Sequence, residues 1–432
     1  MSDTDRPARP RPGADRFPTV AQAVAAARRL VRRHPGRCRL QQVGVSRGGR
    51  PLVLLSVGHG PRHVLVVGGP HPNEPSGVAG ALRIAREVLG RPELAEGRGV
   101  GWHFLLCLDP DGAALNVGWL HGPPTMARHF EHFHRPAFEE QPEWLPPAGS
   151  GREAMPETRA LLRVIDELRP FLQVSLHGVD FGGTFLQLTR EVPGLAARFA
   201  GSAARAGVPL DVGTYDALGW PSPAPGTYLM PPPEGRGGPS PLPDDPARST
   251  WSYPGRYGGV TALLEAPMWA VDAVGDGAPH ADPRQAVHAA ARSLLDGTEE
   301  LAGLLERVRR YAAEPDGPAV RFVEFNLGVC PGMAEEWRAV VDAHGGGGLS
   351  VSRVTGLEIV AERIPLRVSA ALLRLLAAAG GAGAERLRAR VRQLVEEHCT
   401  LLRSGFGARW VPVRDQVDHH ARSAVAAFEC LV

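Results

Sequence analysis

Three residues define the chemistry open to this sequence. His71 and Glu74 stand three positions apart in GGPHPNEPSG, directly after the apolar run HVLVV, and His177 closes a second apolar run, FLQVSLH. Taken singly, polar residues after a strand are also what an ordinary polar turn looks like. The C-terminal ends of buried strands, however, are where α/β sheets build their ligand sites, and the prolines of PHPNEP would hold both side chains in a fixed arrangement. If the two strands are neighbours, His71, Glu74 and His177 converge as a His2Glu set, the donor combination of catalytic zinc that leaves a fourth position open for water. A further carboxylate, Glu265, interrupts the apolar run VTALLEA. It is either an outward-facing strand residue or a buried group that needs a partner, because an unpaired buried carboxylate is costly.

The elements that must position these residues can be read from periodicity. Short apolar runs at LVLLSVG, HVLVVGG, HFLLCLD, FLQVSLH and VTALLEA predict strands, and SGVAGALRIAREVLG, PETRALLRVIDELRP and VPGLAARFAGSAARAG predict helices between them. Near-continuous apolar strands alternating with helices indicate an α/β fold with a largely buried sheet. Residues 220–248 are saturated with Pro and Gly, so they predict a long functional or disordered loop. Beyond about residue 300 helices dominate, as in GAERLRARVRQLVEEHCTLLR and PVRDQVDHHARSAVAAFECL. The expected organisation is a disordered tail over 1–16, an α/β region over 17–300 and a mainly helical region over 301–432, with GGGG at 345–348 as an internal linker.

Composition narrows the function classes. The 432 residues carry 43% apolar and 22% charged side chains with a net charge of +2, so neither nucleic acid nor an anionic membrane is expected as a partner. Every base is arginine; the sequence contains no lysine. The five scattered cysteines, the absence of a recognisable signal peptide and the lack of a membrane-length apolar run lead us to expect a soluble cytoplasmic protein with reduced thiols. Two histidine clusters remain. His129, His132 and His134 surround Glu131 and read as a histidine-lined pocket wall rather than a second metal site; His419 and His420, one helical turn after Asp415, read as a solvated helix face.

Five stretches, VGVSRGGRPLVLLSVGHG, HVLVVGGPHPNEPSGVAG, LLCLDPDGAALN, VSLHG and WSYPGRYGGVTALLEA, occur in the order and approximate spacing of the zinc carboxypeptidase family, which the sequence resembles over about residues 17–300. The resemblance implies a mixed sheet flanked by helices and one zinc per chain, held by His71, Glu74 and His177. It implies that Glu265 is the general base, taking a proton from the attacking water and passing it to the leaving amine. An arginine downstream of the DPDG turn would meet the oxyanion, for which Arg128 is nearest. Arg135 would fork onto the substrate carboxylate, although His134-Arg135 stands where the family has Asn-Arg, and the two arginine roles are interchangeable on sequence grounds. Asn116 would line the pocket, and Tyr228, Tyr253 or Tyr257 would supply a mobile tyrosine, Tyr228 from the Pro/Gly loop acting as the lid. Asp109 in DPDG reads as a turn residue.

The function implied is hydrolysis of an amide bond that removes a C-terminal amino acid from a peptide or peptide-like metabolite. An amidase or deacylase acting on an N-acyl amino acid is the alternative, permitted by the altered Asn-Arg pair and opposed by the long Glu74-to-His177 spacing and the GRP element. A non-catalytic binding protein on the same scaffold is opposed by the presence of Glu265 together with all three ligands. The sequence leaves the oligomeric state open.

Overall fold

The computed structural model describes residues 15–120, 124–146, 149–231, 248–343 and 348–432. The tail up to residue 14, loop residues 232–247 and most of the GGGG segment lie outside the described residues. The strands are β1 (Cys38–Val45), β2 (Pro51–Val57), β3 (Arg62–Val67), β4 (Val100–Leu105), β5 (Leu172–Gly182), β6 (Phe185–Leu188), β7 (Thr227–Leu229), β8 (Val260–Ala270) and β9 (Arg409–Trp410). The helices are α1 (Val20–Arg33), α2 (Ser76–Gly90), α3 (Pro110–Leu115), α4 (Val117–Leu120), α5 (Met126–Glu131), α6 (Pro156–Leu168) and α7 (Leu195–Ala206). After these come α8 (Pro283–Val308), α9 (Pro318–Ala343), α10 (Val351–Leu375), α11 (Ala382–Ser404) and α12 (Val413–Glu429).

All nine strands join one mixed sheet in the order β1-β2-β4-β3-β5-β8-β6-β7, with β9 paired to β8. β2 runs antiparallel to both its neighbours, β1 and β4, whereas β4, β3, β5 and β8 are mutually parallel. The central strands are β5 and β8. β5 is buried at every position and β8 at all but Glu265, as their near-continuous apolar sequences require of strands covered on both faces. Their parallel register sets His177 beside Glu265. β4 begins at Val100, three residues before the expected start, and β6, β7 and β9 are too short to carry a readable alternation.

The turn from β3 into α2 is packed too closely for side chains. Gly69 has φ of +54°, and a Cβ on Gly77 would lie 2.5 Å from the Leu176 carbonyl oxygen and 2.9 Å from the Gly69 nitrogen. Gly77→Ala should therefore force the first turn of α2 away from β5, at a cost on the order of 1–3 kcal/mol. Thermal unfolding should place this variant well below the wild type; an unchanged Tm would show that the contact relaxes freely.

The last helix returns to the sheet. α12 packs against α2, α7 and β8, and its Ala421, Ala424, Val425 and Phe428 share one core with Val64, Val66, Leu176 and Leu264. His419 and His420 are consequently not on a solvated face, which corrects the sequence expectation: both are buried. His419 is held between the hydroxyls of Thr184 (2.7 Å) and Ser202 (2.8 Å), and burial pushes the pKa of His420 down to about 4. A helix with a buried alanine-rich side tolerates two imidazoles inside because both stay neutral. The five cysteines are all unpaired, and among the described residues no helix is long and apolar enough to cross a membrane.

Candidate metal centre

Four side chains meet where the loop after the C-terminal end of β3 passes the middle of β5 and β8; β5 runs on to Gly182 and β8 to Ala270, so His177 does not close its strand as the sequence suggests. The loop leaving β3 carries His71 and Glu74, β5 delivers His177, and β8 delivers Glu265. The ring nitrogen Nδ1 of His71 lies 3.1 Å and 3.2 Å from the two Glu74 oxygens, and Nδ1 of His177 lies 3.4 Å from Glu74 Oε2. Donors each about 2.0–2.2 Å from one tetrahedral zinc would stand roughly 3.3–3.6 Å apart. The three groups are buried and their ligand atoms all lie within 4.8 Å of one another, the only such cluster of metal-binding type among the described residues. Spacing, burial and donor chemistry therefore fit a zinc ion.

The surroundings hold these donors in place. The Gly178 amide donates to Glu74 Oε2 (3.1 Å). Behind the two imidazoles sits Glu143, whose Oε2 lies 3.3 Å from His177 Nε2 and 3.6 Å from His71 Nε2, while its Oε1 accepts from Ser175 Oγ at 2.9 Å. One buried carboxylate thus faces the far nitrogen of both histidines, the arrangement that orients a ligating imidazole and raises its basicity. Burial opposes protonation of His177, but Glu143, Glu74 and Glu265 outweigh it and lift its pKa well above the usual value. Burial likewise opposes ionisation of Glu74, yet His71 and Arg135 hold its carboxyl well below the ordinary range. Glu265 differs. Its Oε1 lies 3.7 Å from His177 Nδ1 and its Oε2 has no hydrogen-bond partner among the described residues. Burial, reinforced by Glu74 and Asp216, pushes its pKa well above the usual value.

Of the two arginines proposed from sequence, only Arg135 reaches the site. Its Nη1 donates to Glu74 Oε1 (2.6 Å), and its Nη2 lies 3.0 Å from His71 Nδ1 and donates to Gln141 Oε1 (3.2 Å). Arg128 is corrected: on α5 its Nη2 donates to the Gly118 carbonyl (2.8 Å), and it does not line the cavity. Asn116 is also moved out of the cavity lining. Its side chain donates to the Gly112 and His134 carbonyls and accepts from the His134 amide, so it pins the segment leading to Arg135. Tyr228 lies on β7 rather than on a lid; it is buried and its hydroxyl donates to the Asp211 carbonyl (2.9 Å). Tyr253 and Tyr257 both donate to Asp166 and lie outside the cavity. His129, His132 and His134 do not line it either, so the expected histidine wall is absent among the described residues.

DPDG is a turn: Asp109 accepts from the Gly112 amide (2.8 Å) and starts α3. Its neighbour Asp111 accepts from Ser46 Oγ, the Gly48 amide and Arg50, fastening the SRGGRP hairpin to it.

The cavity above the donors has a volume of ≈ 200 Å³. Its aromatic lining includes Phe138, Trp144, Trp220 and Trp251, and helices α9 and α10 form one side. Glu143 and these helical residues were not found from the sequence. The nearest available signal is periodicity: Phe322, Phe325, Asn326 and Val329 of α9, and Val360, Arg363, Ile364 and Arg367 of α10, fall at i, i+3, i+4 and i+7 and so share a face.

With that geometry in hand, residues 23–181 match the sequence profile of the zinc carboxypeptidase family. The matched segment contains all three candidate ligands; Glu265 and the helices from α8 onward lie beyond it. The chain therefore contains a segment similar to the zinc carboxypeptidase family, in a mixed α/β fold with a helical C-terminal part. Similar solved structures include a metallo-carboxypeptidase from Burkholderia cenocepacia (16% identity, TM-score 0.34, 57% of this chain and 58% of that one). Others are carboxypeptidase A from Helicoverpa armigera (14%, 0.39, 59% and 65%) and the murein-tripeptide amidase of Escherichia coli O157 (17%, 0.29, 53% and 82%). The chain thus spans little more than half of the Burkholderia protein. No curated protein matches the sequence.

Proposed function

We propose that the protein is a zinc-dependent hydrolase that cleaves an amide bond, removing a C-terminal amino acid from a short peptide or peptide-like metabolite. The observation that carries this reading is the meeting of His71, Glu74 and His177 with Glu265, 3.7 Å from His177, at the floor of a cavity. His71, Glu74 and His177 would hold a zinc, which would supply Lewis acidity and lower the pKa of a water molecule. The remaining work belongs to the chain. Glu265 accepts the proton of the attacking water and hands it to the leaving amine. Arg135, beside the ligands, donates to the oxygen that becomes negative as the carbonyl is attacked. Glu143 keeps both imidazoles in one tautomer and orientation. The aromatic lining excludes water from the reacting atoms.

The N-acyl amino acid amidase remains as a second reading because the cavity, at ≈ 200 Å³, is small and suits a compact substrate. Mass spectrometry of one pooled library, short peptides with varied C-termini together with N-acyl amino acids, separates the two. Loss of single residues from peptide C-termini is the expected result with zinc-loaded protein. Cleavage confined to the acyl amino acids would select the second reading, and a pool left unchanged would refute both.

A further inference from the structure

Helices α9 and α10 lie beyond the segment that matches the zinc carboxypeptidase profile, yet they build one side of the cavity. α9 turns Phe322, Phe325 and Val329 inward, and α10 brings two arginines, Arg363 and Arg367. We propose that this C-terminal wall selects the substrate, with Arg363 anchoring a free carboxylate and the α9 face receiving an apolar or aromatic side chain next to it. The inference rests on the amide-hydrolase reading above and names the acid it would take: a compact, carboxylate-bearing amide with an apolar residue at that end.

Three guanidinium groups border the cavity, and two are already engaged. Arg135 contacts Glu74, His71, Asn73 and Gln141. Arg367 is paired through Nε with Asp180 at 2.6 Å, a carboxylate with no solvent exposure, and this ion pair ties α10 to β5. Arg363 is held much more loosely. Its contact to Asp216 is 3.5 Å long, the limit of a hydrogen bond, and the Asp216 side chain is 40% exposed, so water competes for it. The Arg363 side chain is only 12% exposed, and its Nε is buried without a partner among the described residues. A buried guanidinium donor left unpaired is unfavourable, and a carboxylate fits the planar fork with two parallel hydrogen bonds. Asp216, Arg363 and Glu265 line the same cavity, so the Arg363–Asp216 pair shares it with the reacting end. A ligand whose carboxylate displaces Asp216 from Arg363 therefore has its apolar portion against Phe322 and Phe325 and its amide directed at the metal ligands.

The test is binding rather than turnover, so that it stands apart from the hydrolase reading. Calorimetric titration of zinc-loaded protein with N-acetylphenylalanine and with its carboxamide should show the acid bound about 10- to 100-fold more tightly. Arg363→Met should remove that preference and Arg363→Lys should retain part of it, with zinc content equal to wild type in both. Asp216→Asn, at a half-exposed position, should tighten binding of the acid several-fold by removing a competing anion. A preference for the acid that survives Arg363→Met, as it would if the carboxylate went to the metal or to Arg135, overturns the proposal; so does wild-type protein that fails to distinguish acid from amide. Protein that binds the acid as described but hydrolyses no amide would refute the hydrolase reading and leave the Arg363 anchor standing.

Discussion

Glu265→Gln should reduce turnover of any amide substrate by about 10²- to 10⁴-fold, the usual contribution of a positioned general base, while leaving one zinc per chain. Glutamine keeps the size and the strand register beside His177 but cannot accept the proton. The wild-type side chain is largely buried, one of its carboxyl oxygens is fully buried with no partner among the described residues, and its pKa is pushed well above that of an ordinary glutamate. Replacing it by a neutral amide removes a charge from a site where burial already disfavours charge, so the fold should not suffer. Steady-state kinetics and metal analysis on the same preparation check both halves. A variant that keeps more than a tenth of wild-type activity would sink the assignment of Glu265 as base.

Removal of a ligand should act at the metal instead. His177→Ala is expected to leave no stoichiometric zinc after dialysis and no detectable activity, because only two of the three protein donors that hold a catalytic zinc remain. Glu143→Gln is expected to be milder, weakening zinc affinity about 10- to 100-fold. Glu143 touches no ligand position itself; it fixes both imidazoles from behind, 3.3 Å from His177 Nε2 and 3.6 Å from His71 Nε2. Competition with a chromogenic chelator measures both effects. Full zinc affinity in Glu143→Gln would mean that the histidines are oriented by their strand and loop alone. Retained zinc in His177→Ala would place the metal elsewhere.

These expectations differ in where they could be read. His71, Glu74, His177 and Glu265 stand out in the chain because each is polar at the end of, or inside, an apolar strand, and that local contrast is a property of sequence. The same holds for the central strands and for α2, α6 and α7, whose periodicity sets which face is buried. Arg128 and Arg135 show where local reading stops. Both follow the DPDG turn within one short segment, and the choice between them depends on how α5 lies against α4 and on the tie from Asn116 to His134. The Pro/Gly composition around Tyr228 predicts a lid, whereas pairing with β6 draws it into the edge of the sheet as β7. His419 and His420, with Asp415 one turn before His419 and no third ligand in the sequence, read as a solvated helix face, but α12 buries its alanine side against α2 and β8.

The chain by itself determined its candidate metal donors, its candidate base and the α/β character of the sheet, since these follow from residue type against a local periodic background. Only the tertiary structure decided that Glu143 backs both histidines, that Arg135 and not Arg128 faces them, and that α9 and α10 wall the cavity. Each of those is a meeting of residues far apart in sequence, governed by packing among buried surfaces, which no local pattern encodes.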